Sequence, residues 1–204
     1  LFIKSFNKAD KVIFLSNYSK NYINYFLRKF KKDKDKIIIP HAIDSNIIKY
    51  FKNKKIPNTL KKNKEIKICL LSDINFNKNY KQVLKSISMV KKKYNIKFFW
   101  IGGKNKILMN RFNKYKNFLD INKNFIIYKG LMKHKKTINF IYNSDIFLYS
   151  SNCETFGVTV LEGMASKLPI IILKHPLYKE ILGNNAFFFK ENNSKDLCKK
   201  IILA

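Results

Sequence analysis

Ser150-Ser151-Asn152-Cys153-Glu154-Thr155-Phe156-Gly157-Val158-Thr159-Val160-Leu161-Glu162-Gly163-Met164-Ala165 is the stretch on which the reading of this chain turns. Ile146 to Ser150 is a short apolar run of strand character, Ser151 to Thr155 are polar, and Gly157 opens an apolar stretch of helical length. The order is strand, loop, helix. Glu154 falls in the loop, and Glu162, eight positions on, lies more than one turn into the helix at ~3.6 residues per turn. Between them is a helix N-terminus. Its N–H groups at Phe156, Gly157 and Val158 have no acceptor within the helix and can bind a diphosphate, and Gly157 lets the backbone approach closely. In isolation, two such carboxylates read by default as a loop residue and a solvated helix face.

The ordered string E-T-F-G-x-x-x-x-E-x-M-A-S from Glu154 to Ser166, followed by Lys167-Leu168-Pro169 and an apolar strand, resembles the E-x7-E signature of retaining GT-B glycosyltransferases of family 4. Two positions depart from it. Gly163 stands for the usual Ala and Lys167 for the usual Gly, and Lys167 brings a Cβ into a turn that is strained if it needs positive φ.

The resemblance implies transfer of a sugar from a nucleotide-diphosphate donor to an acceptor with retention at the anomeric carbon, without a metal or other cofactor. Glu154 then accepts hydrogen bonds from donor-sugar hydroxyls and Glu162 from the ribose, carboxylates being able to take two donors at once. Phe156, Gly157 and Val158 offer backbone N–H groups to the diphosphate. Ile68 to Asn79 looks like the family's diphosphate loop, in which a Gly and then an Arg usually follow the strand; here Ser72 and Asp73 stand there, and only the Lys is kept, as Lys78. Its ammonium suits a diphosphate whose charge grows as the sugar leaves. Lys81 is the candidate substitute for the Arg. Without the motif, Lys78 is one surface lysine among many. Ile101-Gly102-Gly103 matches the glycines that permit close approach of backbone to donor, which makes Gly102 a donor-site residue. Gly130 to Lys133 resembles the base-contacting region, which works through backbone atoms and so does not name the base. His134 and His175 sit in lysine-rich polar segments and read as surface or structural, while His41 lies nearer the presumed cleft.

Short apolar runs alternate with longer amphipathic ones along the chain. Strands are expected near Lys11–Ser16, Ile37–Pro40, Ile66–Ser72, Lys97–Gly102, Phe125–Gly130, Ile146–Ser150, Pro169–Leu173 and Ala186–Phe189. Helical patterns are clearest at Ser19–Lys31, Tyr80–Tyr94, Lys106–Leu119, Thr137–Asn143, Gly157–Ser166 and Ser194–Leu203. The alternation specifies an α/β fold with a doubly wound parallel sheet, its ligand site at the carboxyl ends of the strands. With the resemblance, this is the Rossmann-like C-terminal half of a GT-B fold with a remnant of the N-terminal domain. Residues 1–48, containing Ala9 to Ile13 and Ile38 to Asp44, resemble the end of the acceptor-side domain and its crossover. Residues 49–65, rich in Lys and Asn with Pro57, read as an exposed linker, and 66–204 as the donor-binding domain.

Composition sets further bounds. A chain of 204 residues that is 46% hydrophobic can bury a sizeable core, and it holds no apolar run near the ~18 residues of a membrane span. It opens Leu1-Phe2-Ile3-Lys4, without Met or a signal-peptide pattern, and reads as a piece of a longer protein. Cys69, Cys153 and Cys198, an odd count without C-x-x-C spacing, argue for a reducing compartment and against zinc. The formal charge of +29 is spread over nearly the whole chain, and its densest clusters suit a solvated face, anionic lipid headgroups or nucleic acid. No nucleic-acid motif accompanies it, and nucleic acid is not the expected partner. The expected partners are a nucleotide sugar, a sugar or lipid-linked acceptor and an anionic membrane met peripherally at its cytoplasmic face. Two other readings stand beside the enzyme: a donor-binding module inactive without a separate acceptor half, and a basic nucleic-acid binder.

Overall fold

The computed structural model describes residues 5, 8–27, 35–54, 64–119 and 125–204. Two sheets are present among them. The smaller pairs β1 (Lys11–Phe14) with β2 (Asp35–Ile38) in parallel, with α1 (Asn17–Leu27) between them in sequence. The larger is a six-stranded parallel sheet built from β3 (Ile66–Leu71), β4 (Ile96–Ile101), β5 (Ile126–Gly130), β6 (Ile146–Tyr149), β7 (Ile170–Leu173) and β8 (Phe187–Phe189). Its strands are near-continuous apolar runs, as burial on both faces requires. Ile68 to Leu71, Phe98 to Ile101, Ile146 to Tyr149 and Ile170 to Leu173 are all buried.

The helices connecting these strands are α3 (Tyr80–Lys91), α4 (Lys106–Phe118), α5 (His134–Tyr142), α6 (Val158–Ala165) and α7 (Pro176–Leu182), and α8 (Ser194–Leu203) follows β8. The spatial order is β5-β4-β3-β6-β7-β8. The chain therefore winds outward from β3 through β4 to β5, then returns to lay β6 on the other side of β3. Adjacent strands whose following loops diverge leave a crevice at their carboxyl ends, and here that crevice falls between the loops after β3 and β6. On the far side Gln82 of α3 fastens the C-terminal segment: its Nε2 donates to the carbonyls of Lys190 and Asn193, and its Oε1 accepts from the Asn192 N–H.

Two helices were not among the expected patterns. α2 (Ser45–Lys52) starts where the Asp44 carboxylate accepts the Asn46 N–H at 2.8 Å, and it buries Phe51 completely. The stretch expected to be an exposed linker from Lys49 thus begins inside a helix, and its residues 55–63 lie outside the described ones. The other, α7, spans seven residues and starts with Pro176 at its first position, where the missing N–H costs nothing; the imidazole Nδ1 of His175 accepts the Leu177 N–H. Helix α5 starts three residues before the expected Thr137, at His134. The end of the expected Ser19–Lys31 helix, from residue 28, lies outside the described residues.

The N-terminal β1-α1-β2 unit is joined to the larger sheet's layer by a carboxylate. Glu180 of α7 accepts the N–H groups of Asn17 and Tyr18 at 2.7 and 2.8 Å, capping α1 from across the interface. Among the described residues, no helix is long and apolar enough to cross a membrane.

Candidate active site

The crevice is a cleft of about 580 Å³. It is lined from the β3 side by Ser72, Asp73 and Lys78, from the β6 side by Tyr149, Glu154 and Phe156 to Thr159, and from below by Gly102 and Glu162. Of the residues singled out in the sequence as donor-site candidates, Lys78, Gly102, Glu154, Phe156, Gly157, Val158 and Glu162 line it, and Lys81 does not. Gly157 caps α6 with φ +85°, a conformation that favours glycine, and a Cβ there would also press on Val160. The first residues of α6, Val158 and Thr159, line the cleft beside Gly157.

A connected set of bonds ties the two loops. Lys78 closes a 3₁₀ turn, Phe76–Lys78, and Asn79 follows in the left-handed region at φ 49°, which Asn tolerates. This geometry sends the Lys78 ammonium inward: it donates to Glu154 Oε1 at 2.5 Å and to Ser151 Oγ at 2.9 Å. The Ser150 hydroxyl donates to the Lys78 carbonyl at 2.6 Å, and the Asn79 side chain to the Ser150 carbonyl at 3.0 Å. Burial alone would raise the Glu154 carboxyl; the hydrogen bonds from Lys78 and Tyr149 and the charge of Lys78 override it and hold the group below its ordinary range.

Asp73 takes a structural part where the resemblance expects an Arg. Its carboxylate accepts the Gly103 N–H, and Ile74 bridges to Lys104, so the loops after β3 and β4 continue side by side beyond the sheet. The close approach explains Gly102. At φ +150°, a Cβ would fall 2.3 Å from the Ser72 carbonyl oxygen. Lys81 does not replace the missing guanidinium, because its ammonium lies over the Tyr115 ring, 5.9 Å from the centroid.

Glu162 is buried on the first turns of α6, and its Oε1 lies 2.6 Å from His134 Nε2. His134, read in the sequence as surface or structural, is therefore a wall of the cleft at the Glu162 end. Its only sequence signal was position, directly after the Gly130 to Lys133 loop. His41 also lines the cleft, its ring edge-on to Phe156 at 5.6 Å. His175 does not line it; it caps α7 and packs against Tyr18 and Tyr178. Cys153 is exposed at the cleft, whereas burial pushes the Cys69 thiol up to about 11, as befits a core residue. Among the described residues no group of three or more His, Cys, Asp and Glu is arranged to hold a metal ion.

Both departures from the motif have local causes. A Cβ on Gly163 would lie 2.7 Å from the ring of Phe147, so the helix sits against β6 only with glycine there. Lys167 does adopt positive φ, 58°, and its ammonium donates to the Lys52 carbonyl at the end of α2.

Known proteins share this architecture. A glycosyltransferase from Rickettsia africae superposes with a TM-score of 0.78 at 23% identity, over 99% of this chain and 56% of that one. Anabaena HepE, solved in complex with UDP and glucose, superposes with a TM-score of 0.72 at 16% identity, over 94% of this chain and 52% of that one. In sequence, the processive diacylglycerol alpha-glucosyltransferase of Acholeplasma laidlawii is 29% identical over 107 residues, covering 52% of this chain and 32% of its own. The alpha-monoglucosyldiacylglycerol synthase of Streptococcus pneumoniae is 25% identical, covering 89% of this chain and 47% of its own. The chain thus spans less than half the length of these curated relatives. The family model described as glycosyl transferases group 1 matches residues 51–204, and the chain belongs to that family, with the six-stranded sheet of a GT-B glycosyltransferase.

Proposed function

We propose that this chain is the donor-binding half of a retaining glycosyltransferase that moves a sugar from a nucleotide diphosphate to a lipid-linked or saccharide acceptor. The observation that carries it is the opening of Glu154 and Glu162 onto one cleft, on either side of the α6 N-terminus, with Lys78 between the loops. In this reading Glu162 receives the ribose hydroxyls and Glu154 the hydroxyls of the sugar. The α6 N–H groups and Lys78 balance the charge that grows on the diphosphate as the glycosidic bond breaks, so that no metal is needed for the departure. Relatives named as a diacylglycerol alpha-glucosyltransferase and an alpha-monoglucosyldiacylglycerol synthase favour a glycolipid product, and the charge of +29 favours peripheral contact with an anionic membrane at its cytoplasmic face.

The chain's share of its relatives' length favours a second reading for the chain by itself, a module that binds donor but transfers nothing until an acceptor half completes the wall that excludes water. Residues 1–48 would be the end of that half, joined through 49–65 to the donor domain at 66–204.

A thermal-shift panel of UDP-, GDP- and ADP-sugars tests the donor site at moderate salt. Near-saturation at about 100 times the dissociation constant stabilises by roughly 2.7 kcal/mol. One base should shift the unsubstituted chain and fail to shift Glu162→Ala. Equal shifts in both proteins would refute the role of Glu162.

A further inference from the structure

Tyr149 is the last residue of β6 and only 3% exposed, yet its hydroxyl reaches the cleft and donates to Glu154 Oε1 at 2.7 Å. The Lys78 ammonium binds the same oxygen at 2.5 Å and lies over the Tyr149 ring, 5.7 Å from its centroid. The ring is held from behind by Tyr178, edge-on at 5.7 Å, whose own hydroxyl donates to the Ser151 carbonyl at 3.0 Å. The Tyr149 hydroxyl is thus fixed by a strand, a neighbouring ring and a cation before any ligand arrives. Burial and the adjacent Glu154 carboxylate push its pKa well above the ordinary tyrosine value, which keeps it a proton donor. Two donors converging on one oxygen restrict the carboxylate's rotation.

We infer that Tyr149 is a positioning residue that orients Glu154 for the hydroxyls of the donor sugar, and that it governs recognition of the sugar without acting on the nucleotide. The inference rests on the donor-site reading above. It separates from that reading because the Tyr149 hydroxyl hydrogen-bonds Glu154, whereas in that reading the nucleotide is held by Glu162 and the α6 N-terminus. Tyr149→Phe keeps the ring, its packing on Tyr178 and its face toward Lys78, and removes one hydroxyl.

Calorimetric titration of the chain with UDP and UDP-glucose, GDP and GDP-glucose, and ADP and ADP-glucose provides the test. For the base that binds, Tyr149→Phe should keep the nucleoside diphosphate's affinity within about twofold and weaken the glucose conjugate about tenfold, the size expected when a hydrogen bond to a charged group is lost. In a Glu154→Ala background the same substitution should change neither affinity further, because the acceptor it positions is gone. Equal losses for diphosphate and conjugate, no loss for either, a full additional loss in the Glu154→Ala background, or a variant that does not fold would each overturn the inference. Binding of none of these probes by the unsubstituted chain would overturn the donor-site reading itself and the inference with it.

Discussion

Glu154 and Glu162 bring the same carboxylate to the same cleft, but their surroundings differ. Glu154 receives two donors from separate elements, the largely buried Lys78 of the 3₁₀ turn and the buried Tyr149 of β6. Glu162 is the more buried of the pair, its side chain 9% exposed against 21%, yet its partner His134 has a side chain 61% exposed on the first turn of α5. One end of the cleft is locked from within the core; the other is closed by a ring that faces water. The contrast shows that burial of an acid does not measure how rigidly it is aimed. The partners' anchorage does, and preorganisation is concentrated where the partners are themselves packed.

Removing Lys78 should break the contrast most severely. It leaves a partly buried carboxylate with one donor, and uncompensated charges of this kind cost roughly 3 kcal/mol. Urea denaturation of Lys78→Ala should show a loss of that order, and a stability near that of the unsubstituted chain would mean that the ion pair does not fix the Glu154 end.

Acid should narrow the same interaction by degrees. Glu154 is more acidic in the folded chain than in the unfolded one, so its contribution to stability is complete above the ordinary carboxylate range and is lost as pH falls through its depressed folded value. The stability gap between the unsubstituted chain and Glu154→Gln should therefore shrink on acidification from neutral pH. A gap that stays constant or widens would contradict the assignment. The smallest effect is expected at the other end: His134→Ala should cost less than ~1 kcal/mol, since the His134 ring is itself largely in water. A cost matching that of Lys78→Ala, measured the same way, would erase the difference between the two ends.

The wound sheet and the Glu154-to-Glu162 run were legible because each is local. Continuous apolar runs report strands covered on both faces, and a strand, a polar loop and a helix start can be read in order. The part played by Tyr149 was not legible, because nothing in Ile146-Phe147-Leu148-Tyr149 says which of its side chains tops the sheet and meets a loop; that depends on where β6 lies beside β3. Asp73 departed from the expected Arg, and the sequence alone could not show that its partner is a backbone N–H thirty residues away. Helices α2 and α7 escaped because they are short and their caps lie in side chains: the Asp44 carboxylate for one and a histidine ring for the other. Lys167 was anticipated as a strained turn, and its φ of 58° is the feature the missing glycine implied.

The close seat of Gly163 against Phe147 bears on how this chain can change. With the ring 2.7 Å from where a Cβ would stand, the alanine usual at 163 is admissible here only after position 147 has shrunk or tilted. A smaller residue at 147 in turn opens a void in a fully buried strand until position 163 fills it. Neither step is neutral alone, so the two sites form a locked pair on any mutational route between this sequence and the commoner one.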